Sequence, residues 1–211
     1  NQDGWDDVAV GTREGLDIYL NDQSGGLTKA YHYDQAFGVA DIDVTNQGSD
    51  FNDDGRYDLC LATPSVGGLT SELMVYIGNP DGSFDQRLIK TVQGQIFADC
   101  VGDFNGDATL DIAFINGAKR YLSILFGNGA GDFLNEMRFD IPQYDPFIMD
   151  CMDMDLDGDL DVIINAYRLP GGAELVLFRN ELNPPANLAA TLTVMSSGNA
   201  QAEVVAPGGA K

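Results

Sequence analysis

Four short segments place carboxylates and carboxamides at alternate positions. They are Asn1–Asp7 (NQDGWDD), Asp50–Asp58 (DFNDDGRYD), Asp103–Asp111 (DFNGDATLD) and Asp153–Asp161 (DMDLDGDLD). The shared pattern is D-x-[DN]-x-D-G-x-x-D, nine positions long with glycine at position six. When such a chain curls, the side chains at positions one, three and five converge on one point, and glycine permits the sharp turn. Position seven then offers its backbone carbonyl, and the carboxylate at position nine closes the shell. Oxygens alone around one point suit calcium, which takes about six to eight of them. No histidine or cysteine joins the cluster, which argues against transition metals. An EF-hand would need flanking helices and a glutamate at position twelve. Here an apolar strand-like run starts directly after position nine.

The loops recur in phase with a strand pattern. The position-five aspartates Asp3, Asp54, Asp107 and Asp157 are 51, 53 and 50 residues apart. Behind the loops come Val8–Val10, Leu59–Leu61, Ile112–Phe114 and Val162–Ile164. A second landmark follows each, an apolar strand ending in a turn: Asp17–Asn21, Met74–Asn79, Ser123–Asn128 and Leu175–Asn180. Next come alternating strands such as Arg87–Val92 and Glu136–Ile141, and then short strands at Phe37–Ala40, Ile96–Ala98 and Phe147–Met149 that lead into the next loop. Four short strands in a period of this length predict an all-β fold, a β-propeller of about four four-stranded antiparallel blades. A β-sandwich would not need the same loop at the same place in every unit. One such loop is an ordinary Asp/Gly turn, but four in phase are not chance. The third carries Ala108 where glycine is expected, so its backbone is expected to be strained or adjusted. The first lacks position one.

On these residues the chain resembles the FG-GAP/VCBS repeat family, the calcium-loop blades of integrin α-chain propellers and of many bacterial secreted proteins. The resemblance covers about residues 1–180 and implies that each loop joins the innermost strand of a blade to the next strand. It implies calcium ligands at positions one, three, five and nine and a carbonyl ligand at seven. The second site would use Asp50, Asn52, Asp54, Arg56 (carbonyl) and Asp58. The third would use Asp103, Asn105, Asp107, Thr109 (carbonyl) and Asp111, and the fourth Asp153, Asp155, Asp157, Asp159 (carbonyl) and Asp161. The first keeps Asn1, Asp3, Trp5 (carbonyl) and Asp7, giving three to four sites in all. Family propellers commonly have seven blades, so an arc of a larger propeller is expected in preference to a closed four-bladed ring. Residues 181–211 differ: Asn183–Ala186 breaks the chain, and Ala190–Met195 and Ala200–Val205 read as two strands. They form a closing strand, the start of a further blade or a small hairpin. Asp41 aligns with Asp99 and Asp150 before the loops, where solvent-facing strand ends are the simpler reading than extra ligands.

The 211 residues carry 33 acidic and 11 basic side chains, a net charge of −22. Such a surface repels nucleic acid and anionic membranes, both of which are bound through Lys and Arg. No apolar stretch approaches the roughly 20 residues of a membrane span. No signal peptide is visible, and the chain starts inside a motif, as expected of a processed or partial chain. Cys60, Cys100 and Cys151 are too few for a disulfide framework and read as small buried residues, with a Cys100–Cys151 bridge the alternative.

No catalytic constellation stands out. His32 lies between Tyr31 and Tyr33 in an outer strand, and Gly127–Gly131 sits at a hairpin turn with no Lys-Ser/Thr behind it. Paired carboxylates for glycoside chemistry are better explained as calcium ligands. Tyr31, Tyr33, Tyr76, Tyr121 and Tyr144 suit a glycan-binding face, but strands favour tyrosine anyway. The expected function is a non-enzymatic extracellular or cell-surface module for adhesion or recognition of a protein or glycan. The alternatives are a structural subunit of a filament or surface layer that assembles through edge strands, and an accessory propeller of a larger secreted enzyme.

Overall fold

The computed structural model describes residues 1–34, 41–43, 49–64, 69–180, 190–195 and 201–205. All regular structure among them is β-strand. The expected strand at Phe37–Ala40 and the break at Asn183–Ala186 lie outside the described residues. The chain divides into two compact units, Asn1–Ile96 with Gly129–Asp132, and Phe97–Asn128 with Phe133–Lys211.

In the first unit β1 (Val8–Gly11), β2 (Gly15–Asn21) and β3 (Leu27–Asp34) form one sheet. A second sheet runs β4 (Asp41–Asp43), β5 (Leu59–Pro64), β6 (Thr70–Gly78) and β7 (Phe84–Gln93). Neighbours are consecutive and antiparallel, so each sheet is a meander. Leu16 and Ile18 of β2 pack with Leu59 and Leu61 of β5 and Met74 and Tyr76 of β6. The Tyr33 ring meets Tyr76 edge-on at 5.5 Å, a geometry aromatic quadrupoles favour.

The second unit repeats the plan. Its sheets are β8 (Ile96–Gly102), β9 (Asp111–Asn116), β10 (Tyr121–Gly127) and β11 (Phe133–Asp140), and then β12 (Tyr144–Met152), β13 (Asp161–Arg168), β14 (Ala173–Asn180), β15 (Ala190–Met195) and β16 (Gln201–Val205). Ala113, Ile115, Leu122 and Ile124 of one sheet face Val162, Ile164, Val176 and Phe178 of the other in a single core. Burying each large aliphatic side chain contributes about 1.5–3 kcal/mol.

Position in the sheet explains the sequence patterns. Every residue of β9 (DIAFIN) is buried, so it reads as a continuous apolar run. The outer strand β11 alternates exposed and half-buried residues from Glu136 to Asp140, after a register shift near its start, as a strand with one solvated face must. β1 follows a loop just as β5, β9 and β13 do, yet Val8 and Val10 are each 38 % exposed. Among the described residues no strand pairs with the other edge of β1. At the far end, β15 pairs with β14 and β16 with β15, so the last sheet has five strands and the first has three. The strands before the third and fourth loops are longer than expected and end directly before Asp103 and Asp153. The three cysteines are free thiols, two of them buried.

Candidate metal centre

The second, third and fourth acidic loops each link the first strand of a sheet to its second: β4 to β5, β8 to β9 and β12 to β13, while the first loop leads into β1. The backbone enters the left-handed region twice per loop. At position six stand Gly4 (φ 88°), Gly55 (φ 80°), Ala108 (φ 67°) and Gly158 (φ 99°). At position four stand Gln2 (φ 59°), Asp53 (φ 56°), Gly106 (φ 72°) and Leu156 (φ 63°). The position-four turn was not anticipated from the sequence. The one signal of it was Gly106, the only glycine at that position. Ala108 adopts the glycine conformation without adjustment, and its Cβ carries the expected strain.

The aspartates then organise the turn from inside. At position one, Asp50 accepts the Asp54 and Gly55 N–H groups at 3.0 and 2.7 Å. Asp103 accepts those of Asp107 and Ala108 at 3.2 and 2.8 Å, and Asp153 those of Asp157 and Gly158 at 3.2 and 3.0 Å. At position five, Asp3, Asp54, Asp107 and Asp157 accept the N–H of position seven, from Trp5, Arg56, Thr109 and Asp159, at 2.8–3.0 Å.

Position nine ties the loop to the sheet. Asp58 takes the Phe51 N–H at 2.8 Å on one oxygen and the Gly78 N–H at 2.7 Å on the other. Asp111 does the same with Phe104 and Gly127, both at 2.9 Å, and Asp161 with Met154 and Asn180 at 3.1 and 2.7 Å. In the first loop Asp7 receives the Asn21 N–H at 2.9 Å and the terminal ammonium of Asn1 at 3.4 Å. The strand-end partner is thus Asn21, Gly78, Gly127 or Asn180, a role the turn landmarks did not reveal. Burial, only partly offset by the two N–H donors, pushes Asp58 up to about 6 and Asp111 up to about 7 and raises Asp161. The neighbouring carboxylates add to the rise.

Among the described residues, one group of acidic side chains is placed to share a cation. Carboxylate oxygens of Asp153, Asp155 and Asp157 lie within 4.8 Å of one another. In the second and third loops an asparagine takes the central place, and its amide meets the position-five carboxylate. Asn52 donates to Asp54 at 2.7 Å and Asn105 to Asp107 at 2.9 Å. The Asn52 Oδ1 is buried and has no hydrogen-bond partner, a cost that a cation at that point would remove. All-oxygen donors and an orphaned carbonyl acceptor fit a hard divalent ion. Side chains of the position-seven residues do other work. Arg56 pairs with Asp54 and donates to the Gly78 carbonyl at 2.8 Å, and Trp5 is 52 % exposed. Arg179 of β14 places its Nε 3.1 Å from Asp155.

These loops and their strands frame the repeat that the family comparison detects. A profile of the FG-GAP-like repeat matches residues 50–114 and again residues 103–164. The chain belongs to the FG-GAP-like repeat family. Each FG-GAP match starts at position one of a loop, Asp50 or Asp103, and ends in the buried strand behind the next loop, at Phe114 or Ile164. FG-GAP repeats are propeller blades, so the antiparallel meanders are blades of a β-propeller. No curated protein matches the chain significantly.

His32 is no isolated strand residue. Its Nδ1 lies 2.5 Å from Asp17 Oδ1 and its Nε2 3.2 Å from Asp34, while Lys29 reaches the same Asp17 oxygen at 2.7 Å. Among the described residues no helix is long and apolar enough to cross a membrane.

Proposed function

We propose that this FG-GAP segment is a calcium-stabilised recognition module of an extracellular protein, without catalytic activity of its own. Residues 1–180 supply the blades, and residues 181–211 add the terminal strands. The observation that carries the reading is the convergence of Asp153, Asp155 and Asp157 within 4.8 Å. Three carboxylates that close repel one another and gain from a shared cation. Asp161, Asp58 and Asp111 then hold the loops on their sheets, and the carbonyls of Arg56, Thr109 and Asp159 lie at the seventh position to complete each shell. Calcium binds the folded chain and not the unfolded one, so it adds to stability. Millimolar calcium outside cells fills even weak oxygen sites. The loops at the blade ends are then rigid enough to present a surface to a protein or glycan partner.

Thermal unfolding tests this. Metal-stripped chain should melt at a higher temperature with millimolar calcium than with millimolar magnesium or none. An unchanged melting temperature in protein shown to be metal-free would overturn the calcium reading and leave a family propeller held by its strands alone.

A further inference from the structure

The second and third loops are nearly superimposable in their hydrogen bonds, yet differ in charge at position seven. In the third loop Thr109 donates its hydroxyl to Asp107 at 2.5 Å and lies 3.4 Å from the Gly127 carbonyl. In the second loop Arg56 serves the equivalent two acceptors, Asp54 and the Gly78 carbonyl. A neutral hydroxyl is thus replaced by a guanidinium. The Gly78 bond, 2.8 Å from Arg56 Nε, holds the planar group in place, so the pairing does not have to immobilise a free side chain. Both partners are sheltered, with side-chain exposures of 28 % for Arg56 and 21 % for Asp54. In the fourth loop position seven is Asp159, and the nearby Arg179 approaches Asp155 without hydrogen-bond geometry.

We propose that Arg56 is an internal competitor for the cation of the second loop. Calcium must displace the guanidinium from Asp54 before that carboxylate can serve as a ligand. The second loop is therefore the weakest of the three complete sites and fills last, at a calcium concentration set by one side chain. This rests on the calcium reading above. Two observations support it: the ion pair occupies a ligand-type oxygen, and the nearby Asn52 Oδ1 stays buried and unpartnered. Affinity in oxygen sites of this kind follows the ligand charge count, and Arg56 lowers the count by one. When displaced, the guanidinium keeps its Gly78 anchor or turns to a surface rich in carboxylates.

The test is calcium titration of the whole chain by calorimetry and by chelator competition, on wild type, Arg56→Gln and Thr109→Arg. Arg56→Gln is expected to tighten one macroscopic site about fivefold, the effect of removing a partly exposed ion pair, with the number of bound ions unchanged. Thr109→Arg is expected to weaken one site by a similar factor. Wild type that binds calcium while Arg56→Gln leaves every site unchanged, or weakens one, would overturn the role of Arg56 alone. The same holds if Thr109→Arg has no effect. Wild type that binds no calcium would overturn the calcium reading and this inference together.

Discussion

Gly127 and Asp111 are 16 residues apart in sequence, and the Gly127 N–H meets Asp111 Oδ1 at 2.9 Å. A Cβ on Gly127 would lie 2.1 Å from the Leu110 carbonyl oxygen, next to that same aspartate. The contact is backbone against side chain, with no flexible end to yield. The equivalent Gly78 would place a Cβ 2.2 Å from the Tyr57 carbonyl. Gly127→Ala is therefore expected to destabilise the chain by about 2–3 kcal/mol, because either the loop lifts off the strand end or the buried carboxylate loses a donor. Urea unfolding measures this, and a loss below about 0.5 kcal/mol would show that the close approach is not needed.

The left-handed position six, compared between two loops, gives a pair of predictions of opposite sign. Ala108 holds φ 67° where three other loops have glycine. Ala108→Gly should stabilise the chain by up to about 1 kcal/mol, the left-handed strain relieved less the entropy that glycine adds to the unfolded state. Gly158→Ala should cost about 1 kcal/mol, since a Cβ there meets nothing within 4 Å and only the backbone conformation opposes it. The pair of variants in one equilibrium unfolding series checks both signs.

The pH dependence of the metal-free chain follows from the buried aspartates. Asp58 and Asp111 titrate near 6 and 7 in the folded chain, against an ordinary 3.8 when unfolded. The folded state therefore binds more protons between about pH 4 and 7, and stability falls as pH rises through that window. His32 is raised chiefly by its hydrogen bond to Asp17, so its contribution is also lost as pH rises above its usual range. Asp17, Asp22 and Asp81 act the other way. The Lys29 ammonium lowers the first, and the Ser24 and Ser83 hydroxyls lower the others, so their contributions disappear below about pH 4. Metal-stripped protein should be most stable near pH 4 and lose stability towards pH 8, with calcium largely abolishing the loss. High salt screens surface repulsion but should leave the trend in place. Melting curves that rise from pH 5 to 8 without metal would contradict it.

What could be read from the sequence was whatever repeats. The spacing of Asp3, Asp54, Asp107 and Asp157 located the loops, and the runs behind them located β1, β5, β9 and β13. The rest depends on contacts between segments far apart in the chain. The role of position nine shows only when Asp161 is seen taking the N–H of Asn180, 19 residues on. The second left-handed turn is hidden because Gln2 and Leu156 are not turn residues by type, although Asp53 tolerates that conformation, and Leu156 is held at φ 63° by the loop around it. The loop pattern assigns Arg56 only a carbonyl, whereas the place of its guanidinium depends on the Gly78 carbonyl at the end of β6, 22 residues on. The pairing of β15 and β16 onto β14 was likewise beyond local pattern, since edge strands of equal character fit any open sheet.

Asp157→Asn separates repulsion from ligation in the fourth loop. Asp157 Oδ1 accepts the Asp159 N–H at 3.0 Å, and an asparagine carbonyl keeps that bond. What the substitution removes is one of three negative charges within 4.8 Å. Because Asp155 and Asp157 are exposed, solvent screens the repulsion, and the relief in metal-free protein should be small, about 0.2–1 kcal/mol. With calcium the same change removes a charged ligand, so the variant should be less stable than wild type and bind one ion more weakly. The expected signature is a crossing: the variant melts at or above wild type without metal and below it in millimolar calcium. If the variant is destabilised equally in both conditions, Asp157 is only a turn residue. If it is unaffected in both, the three carboxylates do not share a cation.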